Sequence, residues 1–438
     1  MEKKIYRKTV LYGILRVYSN FIYRRWFRVV EVNGKENIPE NSSVIFAPNH
    51  QNGFIDAMAL LSSSPKPIVF LARADMFRKK MQDKMLRMLK IMPAYRIRDG
   101  IQNLKKNEES FEQAVDALLH KEFFCLMPEG GQDTVRTLRP LVKGMFRIAF
   151  AAQDVLKDTD SVKIVPVGID YSDYDHSGGH LVITFGKAIN IKEYYAAYLE
   201  NSPVAQNQLR DELSRRMAPL MLNIQTKEYY DCFYITSWLY NANMLEEMNL
   251  EDNETNRLAA RQQIVAVLKK AEESGSSMLP ELDKLCKKWA ENHKSVAFSA
   301  RISEFGNRIN EDLLLSLCYL AVTFPLFLYS ISVNGMPYLL TKYLTRKSKG
   351  TGFQASFVFG SAALLFPVYF LLAAVAFAFF APGFWTGVAF ALSLPLSFFF
   401  MLRYKWRFHF VKERLRKWDK KVPEILEMFK KYQLNNIL

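Results

Sequence analysis

The 438-residue sequence predicts an α/β fold, a sheet flanked by helices, followed by a helical region and then by C-terminal membrane helices. Three observations carry this reading. From about 43 to 185, short apolar runs bounded by Pro, Gly or polar residues alternate with stretches of helical spacing. From about 190 to 310 the strand-like runs fade and long charged helical stretches replace them. Across 350–402 no side chain is charged over 53 residues, far beyond the roughly 20 needed to cross a bilayer.

The predicted strands are SVIFAP (43–48), KPIVFLA (66–72), IMPAYRI (91–97), EFFCLMP (122–128), KIVPVGI (163–169) and HLVITFG (180–186). Between them, 76–90 and 101–119 read as helices, the second through Leu104, Phe111, Val115, Leu118 and Leu119. Such alternation argues an α/β sheet with its chemistry on loops at strand ends. Beyond the sheet, 257–273 and 279–294 are the clearest helices, with 273–277 as the loop between them.

Half of the residues are hydrophobic, which assures a sizeable core and excludes a disordered polymer. Lys and Arg number 59 against 44 Asp and Glu, a net charge of +15 that suits either nucleic acid or an anionic membrane surface. The location of that charge decides. Residues 1–30 hold eight Lys or Arg against one acid, 403–438 hold eleven against four, and 342–349 add four more. The excess flanks apolar segments, so membrane lipid is the expected partner and nucleic acid is not. Four well-separated cysteines, Cys125, Cys232, Cys286 and Cys318, argue against a disulfide scaffold or zinc ribbon and fit a reducing compartment. The opening MEKKIYRKTV is read as lacking a secretory signal.

The uncharged run should break at Ala381-Pro382-Gly383 into spans of about 354–379 and 385–402. A second apolar run, 313–341, is interrupted by Pro325 and by Asn334-Gly335-Met336-Pro337. Basic clusters follow both runs, and the bias of Lys and Arg toward the cytoplasm favours a re-entrant hairpin over a full span for 313–341. Residues 6–30 interleave six Lys or Arg with Tyr12, Leu15, Tyr18, Phe21, Ile22, Trp26 and Phe27, as suits the headgroup layer. The expected organisation is therefore a basic amphipathic membrane-surface helix (1–35), a sheet domain (36–200), a helical region (201–310), membrane segments (311–403, with hairpins 313–341 and 354–402) and a basic cytoplasmic tail (404–438). The protein is expected to be integral to the membrane, with its sheet domain on the cytoplasmic face.

Chemistry concentrates after the strand ends. In Asn49-His50-Gln51-Asn52-Gly53-Phe54-Ile55-Asp56 a His leaves an apolar strand with an Asp six residues on. That carboxylate can orient the imidazole and stabilise it once protonated, so His50 can serve as a general base toward a substrate hydroxyl. Pro93-Ala94-Tyr95-Arg96-Ile97-Arg98-Asp99 sets fixed cations at a strand end, suited to a phosphate. Met127-Pro128-Glu129-Gly130-Gly131-Gln132 brings consecutive glycines whose N–H groups can approach an anionic oxygen. The fourth segment is Ile164-Val165-Pro166-Val167-Gly168-Ile169. No second His lies at ligand spacing, so no metal site is expected.

In this order the four segments resemble the phospholipid/glycerol acyltransferase family, whose motifs are Asn-His followed by Asp, a segment ending in Arg, Phe-Pro-Glu-Gly, and a Val-Pro-Val-Gly-like strand. The resemblance covers about 36–187. Five residues separate His50 from Asp56, one more than in the commoner pattern, and the third motif reads Pro-Glu-Gly-Gly. Both features are similar to the fungal glycerol-3-phosphate/dihydroxyacetone-phosphate branch. The Gly-Thr-Arg that often follows the motif Glu is absent, leaving Arg136, Arg139 and Lys143 as alternatives.

The resemblance implies a glycerolipid acyltransferase-like mixed sheet and acyl transfer from a thioester to a glycerol hydroxyl of lysophosphatidate or glycerol 3-phosphate. His50 would be the base, Asp56 its orienting partner, Arg96 the phosphate ligand, and Glu129, Gly130 and Gly131 the acceptor site. No cofactor is implied; acyl-CoA or an acyl carrier protein thioester is the co-substrate. The alternatives are action on another lysophospholipid and a non-catalytic lipid-binding relative.

Overall fold

The computed structural model describes residues 4–7, 9–95, 104–157, 159–293, 295–304, 311–349, 352–415 and 421–437. It divides into two compact units, one of 1–24, 30–171 and 181–223, the other of 25–29, 172–180 and 224–438.

The first unit is the α/β sheet. Its elements run α1 (Val10–Trp26), β1 (Val29–Asn33), β2 (Ser43–Pro48), α2 (Phe54–Ser63), β3 (Ile68–Arg73), α3 (Lys80–Met88), β4 (Ile91–Ala94), α4 (Leu104–Leu119), β5 (Phe123–Cys125), α5 (Gly144–Leu156), β6 (Val162–Tyr171), β7 (His180–Phe185), β8 (Ile189–Asn190), α6 (Lys192–Glu200) and α7 (Ser202–Met217). The strand order is β1-β7-β6-β2-β5-β3-β4, with β8 also pairing β6. The five strands from β6 to β4 are mutually parallel, whereas β7 and β8 run antiparallel to β6. All six residues of β2 are buried, as a central strand covered on both faces requires. On one face Ile45, Ala47, Phe124 and Ile164 pack under α4, α5 and α7. Phe46, pointing the other way, meets the Phe123 ring edge-on at 5.2 Å.

All six predicted strands form. Two short ones, β1 and β8, escaped the sequence reading. The expected helix 1–35 ends at Trp26, because Val29–Asn33 joins the sheet. Arg16 donates to the Ser64 carbonyl at 2.7 Å and Arg24 to that of Ser62 at 3.2 Å, so these cations dock on the protein. Val10, Ile14, Val17 and Phe21, at helical spacing, are left exposed. The boundary expected at 200 moves to 223, since Ala205, Leu209, Leu213 and Met217 of α7 complete the sheet's core. Gly168 shows how close that cover lies: a Cβ there would sit 1.9 Å from the Leu220 carbonyl oxygen.

The second unit is helical: α8 (Tyr230–Leu239), α9 (Asn241–Glu247), α10 (Glu254–Glu273), α11 (Met278–Ala290), α12 (Val296–Ser303), α13 (Glu311–Val322), α14 (Phe324–Thr345), α15 (Gln354–Ala378), α16 (Phe384–Arg414) and α17 (Lys421–Ile437). Among the described residues α15 and α16 are each long and apolar enough to cross a membrane. The expected break falls between them.

The 313–341 run is bent rather than straight. It forms two helices bent by 61° at Thr323, a geometry open to a broken span or a re-entrant loop, ahead of Pro325 in the first turn of α14, where a proline is tolerated. Pro337, expected to split the run, lies inside α14. A helix-interior proline leaves the carbonyl four residues back without its N–H donor. That carbonyl is Val333's, and the Tyr369 hydroxyl of α15 donates to it at 2.6 Å. Asn334 adds a cross-link, donating to Ser397 Oγ of α16 at 2.9 Å.

The described residues of 404–438, expected as a basic tail, are helical. Helix α16 continues unbroken to Arg414. In α17, Val422, Ile425 and Phe429 are buried, with Phe429 edge-on to Tyr240 at 4.7 Å.

Candidate active site

The site lies in the first unit, beyond the carboxyl ends of three adjacent parallel strands, β6, β2 and β5, where ligands of open α/β sheets bind. Strand β2 hands on to Asn49 and His50. The Asn49 side chain extends the ladder to β6, donating to the Ile169 carbonyl at 3.0 Å and accepting the Ile169 N–H at 2.7 Å. This fixes the point at which His50 leaves the sheet.

Asp56 occupies the first turn of α2 and is fully buried. Its Oδ2 lies 2.9 Å from His50 Nδ1 and accepts the N–H groups of Gln51 at 2.9 Å and Asn52 at 2.8 Å. Its Oδ1 accepts the Tyr171 hydroxyl at 2.8 Å. The extra residue between His50 and Asp56 is thus absorbed in a turn wrapped around the carboxylate. A carboxylate only accepts, so Nδ1 carries its proton and Nε2 presents a lone pair. The His50 side chain is 19% exposed, and Nε2 has no protein partner among the described residues.

Tyr171, at the end of β6, escaped the sequence reading. Burial, reinforced by the Asp56 carboxylate, pushes its phenol well above the ordinary range, which keeps it a donor. The fully buried Tyr23 stands behind it, its own phenol raised by burial.

Glu129 follows β5. Its Oε1 accepts the His50 N–H at 2.8 Å, and its Oε2 pairs with Arg139 Nε at 2.9 Å. The carboxylate therefore couples the two motif loops, and its side chain is only 1% exposed. Gly130 takes φ +67°, and a Cβ there would lie 2.9 Å from Val142 Cγ1, so the turn excludes larger residues. Its N–H is spent within the loop on the Met127 carbonyl at 3.2 Å. The Gly131 carbonyl accepts from Arg139, while its N–H has no acceptor among the described residues. Of the two glycines, only Gly131 keeps a free donor.

The geometry also separates the alternative cations. Arg136 is buried against Asp170 at 2.8 Å and holds the Tyr171 carbonyl, so it braces the loop. Arg139 is the one beside Glu129 and remains 30% exposed. Arg96 and Arg98 lie outside the described residues, just beyond β4. Burial pushes the Cys125 thiol well above its usual range, which fits a core residue. Among the described residues no three His, Cys, Asp or Glu side chains converge as a metal site.

Residues 29–170 match the family model described as Acyltransferase. Among solved structures, the chain is similar to the crystal structure of the 1-acyl-sn-glycerophosphate (LPA) acyltransferase, PlsC, from Thermotoga maritima. That likeness has 17% identity and a TM-score of 0.35, over 48% of this chain and 80% of that one. None of the curated proteins compared matches the chain. The matched segment holds the His50–Asp56 pair, Glu129 and the strands that carry them, and over that segment the chain is similar to the acyltransferase family.

Proposed function

We propose that this protein moves a fatty acyl group from an acyl thioester, of CoA or an acyl carrier protein, to a glycerol hydroxyl of lysophosphatidate or glycerol 3-phosphate. The observation that carries the reading is the His50 ring, fixed by Asp56 at 2.9 Å with Nε2 left open. Nε2 takes the proton of the acceptor hydroxyl as its oxygen attacks the thioester carbonyl. The tetrahedral oxyanion needs donors, and the free Gly131 N–H is the candidate beside the base. Collapse expels the thiolate, which takes the proton from His50. The ester forms, the thioester breaks, and the enzyme returns to its starting state. Arg96 is assigned to the acceptor phosphate. Glu129 shapes the acceptor site through His50 and Arg139.

The helices support the choice of a lipid product. Two membrane-length helices, and the exposed stripe of Val10, Ile14, Val17 and Phe21 on α1, suit a catalyst working where acyl chains partition. We assign the sheet unit to the cytoplasmic face.

The test is incubation of purified protein with radiolabelled acyl thioester and a panel of acceptors: glycerol 3-phosphate, lysophosphatidate and other lysophospholipids. Labelled product with one of the first two, lost in His50→Ala, is expected. Product only from another lysophospholipid overturns the acceptor assignment, and release of no thiol with any acceptor makes the chain a non-catalytic relative. For Arg96, replacement by Lys should raise KM for the phosphorylated acceptor and leave the donor KM unchanged, because an ammonium lacks the guanidinium fork.

A further inference from the structure

The second unit gathers arginines that the catalytic reading does not use. Helix α16 is uncharged from Phe384 to Leu402, 19 residues or about 28 Å of helix, close to the hydrocarbon thickness of a bilayer. Arg403 is the first charge beyond it, at the depth where lipid phosphates lie. Arg407 follows one turn later on the same face.

Aromatic rings hold Arg407 and Arg28 in place. The Arg407 guanidinium lies 4.6 Å over the Tyr319 ring, with Nη1 donating to Ser316 Oγ at 3.2 Å. Arg28 lies 4.0 Å over Trp406, which is edge-on to Phe298 of α12 at 6.4 Å. One turn beyond Phe298, Arg301 pairs with Glu254 at 2.8 Å. Among the described residues, Arg28, Arg403 and Arg407 have no carboxylate within ion-pair distance. Burial, and then the fields of Arg301, Arg407 and Arg403, push the Arg28 guanidinium below its ordinary range. Glu254, paired with Arg301, offsets these like charges only in part, and a bound anion would relieve the remainder.

We propose that Arg28, Arg403 and Arg407, with Arg301 beside them, form a binding site for the phosphate of an anionic glycerophospholipid headgroup. Guanidinium groups match phosphate oxygens in geometry, and aromatic floors keep those of Arg28 and Arg407 oriented. The position at the end of a bilayer-length apolar run favours a phosphate presented by lipid over one free in solution. The proposal is independent of the acyl-transfer reading.

The test is native mass spectrometry of the full-length protein released from neutral detergent, with phosphatidylglycerol or phosphatidylcholine added. Wild type should retain one phosphatidylglycerol, and an Arg28→Gln/Arg403→Gln variant should retain it about tenfold or more weakly. Phosphatidylcholine should be held equally weakly by both. Equal retention of phosphatidylglycerol by the two proteins overturns the site. Displacement of the lipid by millimolar inorganic phosphate overturns the lipid assignment in favour of a free phosphate, and persistence supports it. If the double variant does not melt as wild type does, Arg403→Gln alone makes the same comparison, because that exposed side chain makes no hydrogen bond or ion pair among the described residues.

Discussion

The Tyr171 hydroxyl donates to Asp56 Oδ1 at 2.8 Å and so occupies the carboxylate oxygen that His50 does not use. The two residues are 115 apart in the chain and meet because β6 lies beside β2. Both oxygens of Asp56 are thereby engaged, which holds the carboxylate in one orientation toward the imidazole.

Replacing Tyr171 by Phe should leave that buried oxygen short of a donor, destabilising the sheet unit by about 1–3 kcal/mol. The turnover number should fall and the KM values should hold, since Tyr171 acts through Asp56. Urea unfolding and steady-state kinetics check this. An unchanged kcat would remove Tyr171 from the positioning of the base.

His50→Ala should reduce acyl transfer by about 100- to 10,000-fold, the usual worth of a general base, with membrane association intact. Asp56→Asn should cost less than the His50 change but still most of the rate, because the amide presets the wrong tautomer. Rates measured on variants with wild-type melting decide, and activity above a few per cent of wild type in the first would sink the assignment.

Tyr369 substitutes for the N–H that Pro337 lacks. Tyr369→Phe should therefore destabilise the helical unit by about 0.6–1.7 kcal/mol, the range of hydrogen bonds between membrane helices. In a Pro337→Ala background, where an N–H returns to Val333, the same change should cost less. A double-mutant cycle in detergent reads the difference, and additive costs would mean that Tyr369 does not answer the proline.

Burial alone would raise the Glu254 carboxyl, but its hydrogen bonds from His180 and Arg301 override this and hold it at about 2, below its ordinary 4.5. A depressed carboxyl contributes stability in full above 4.5 and loses it as the pH falls toward 2. The stability gap between wild type and Glu254→Gln should shrink across that window. A gap independent of pH would show that the carboxylate charge contributes nothing.

Topology is read by single-cysteine labelling at Ser348, Gly383 and Asn436, with the four native cysteines removed and an impermeant thiol reagent applied to intact cells. Labelling at Gly383 alone is expected if the α15–α16 pair crosses as a hairpin and the bent α13–α14 pair does not. Labelling at Ser348 would make the bent pair a true span.

By itself the sequence determined the six main strands, the two membrane-length helices and the His50–Asp56 pairing. Each is written in local pattern: period-2 and period-3.6 burial, uncharged length, or a motif within one loop. The tertiary structure decided which distant groups serve them. Nothing near Asp56 in the chain names Tyr171, nor could spacing separate the buried Arg136, spent on Asp170, from Arg139 beside Glu129. The Thr323 bend and an unbroken helix through Pro337 were equally illegible, since the backbone groups a proline frees are satisfied from another helix. Periodicity records which face of an element is buried; which partner waits there depends on strand order and helix packing, and these bring together residues a hundred positions apart.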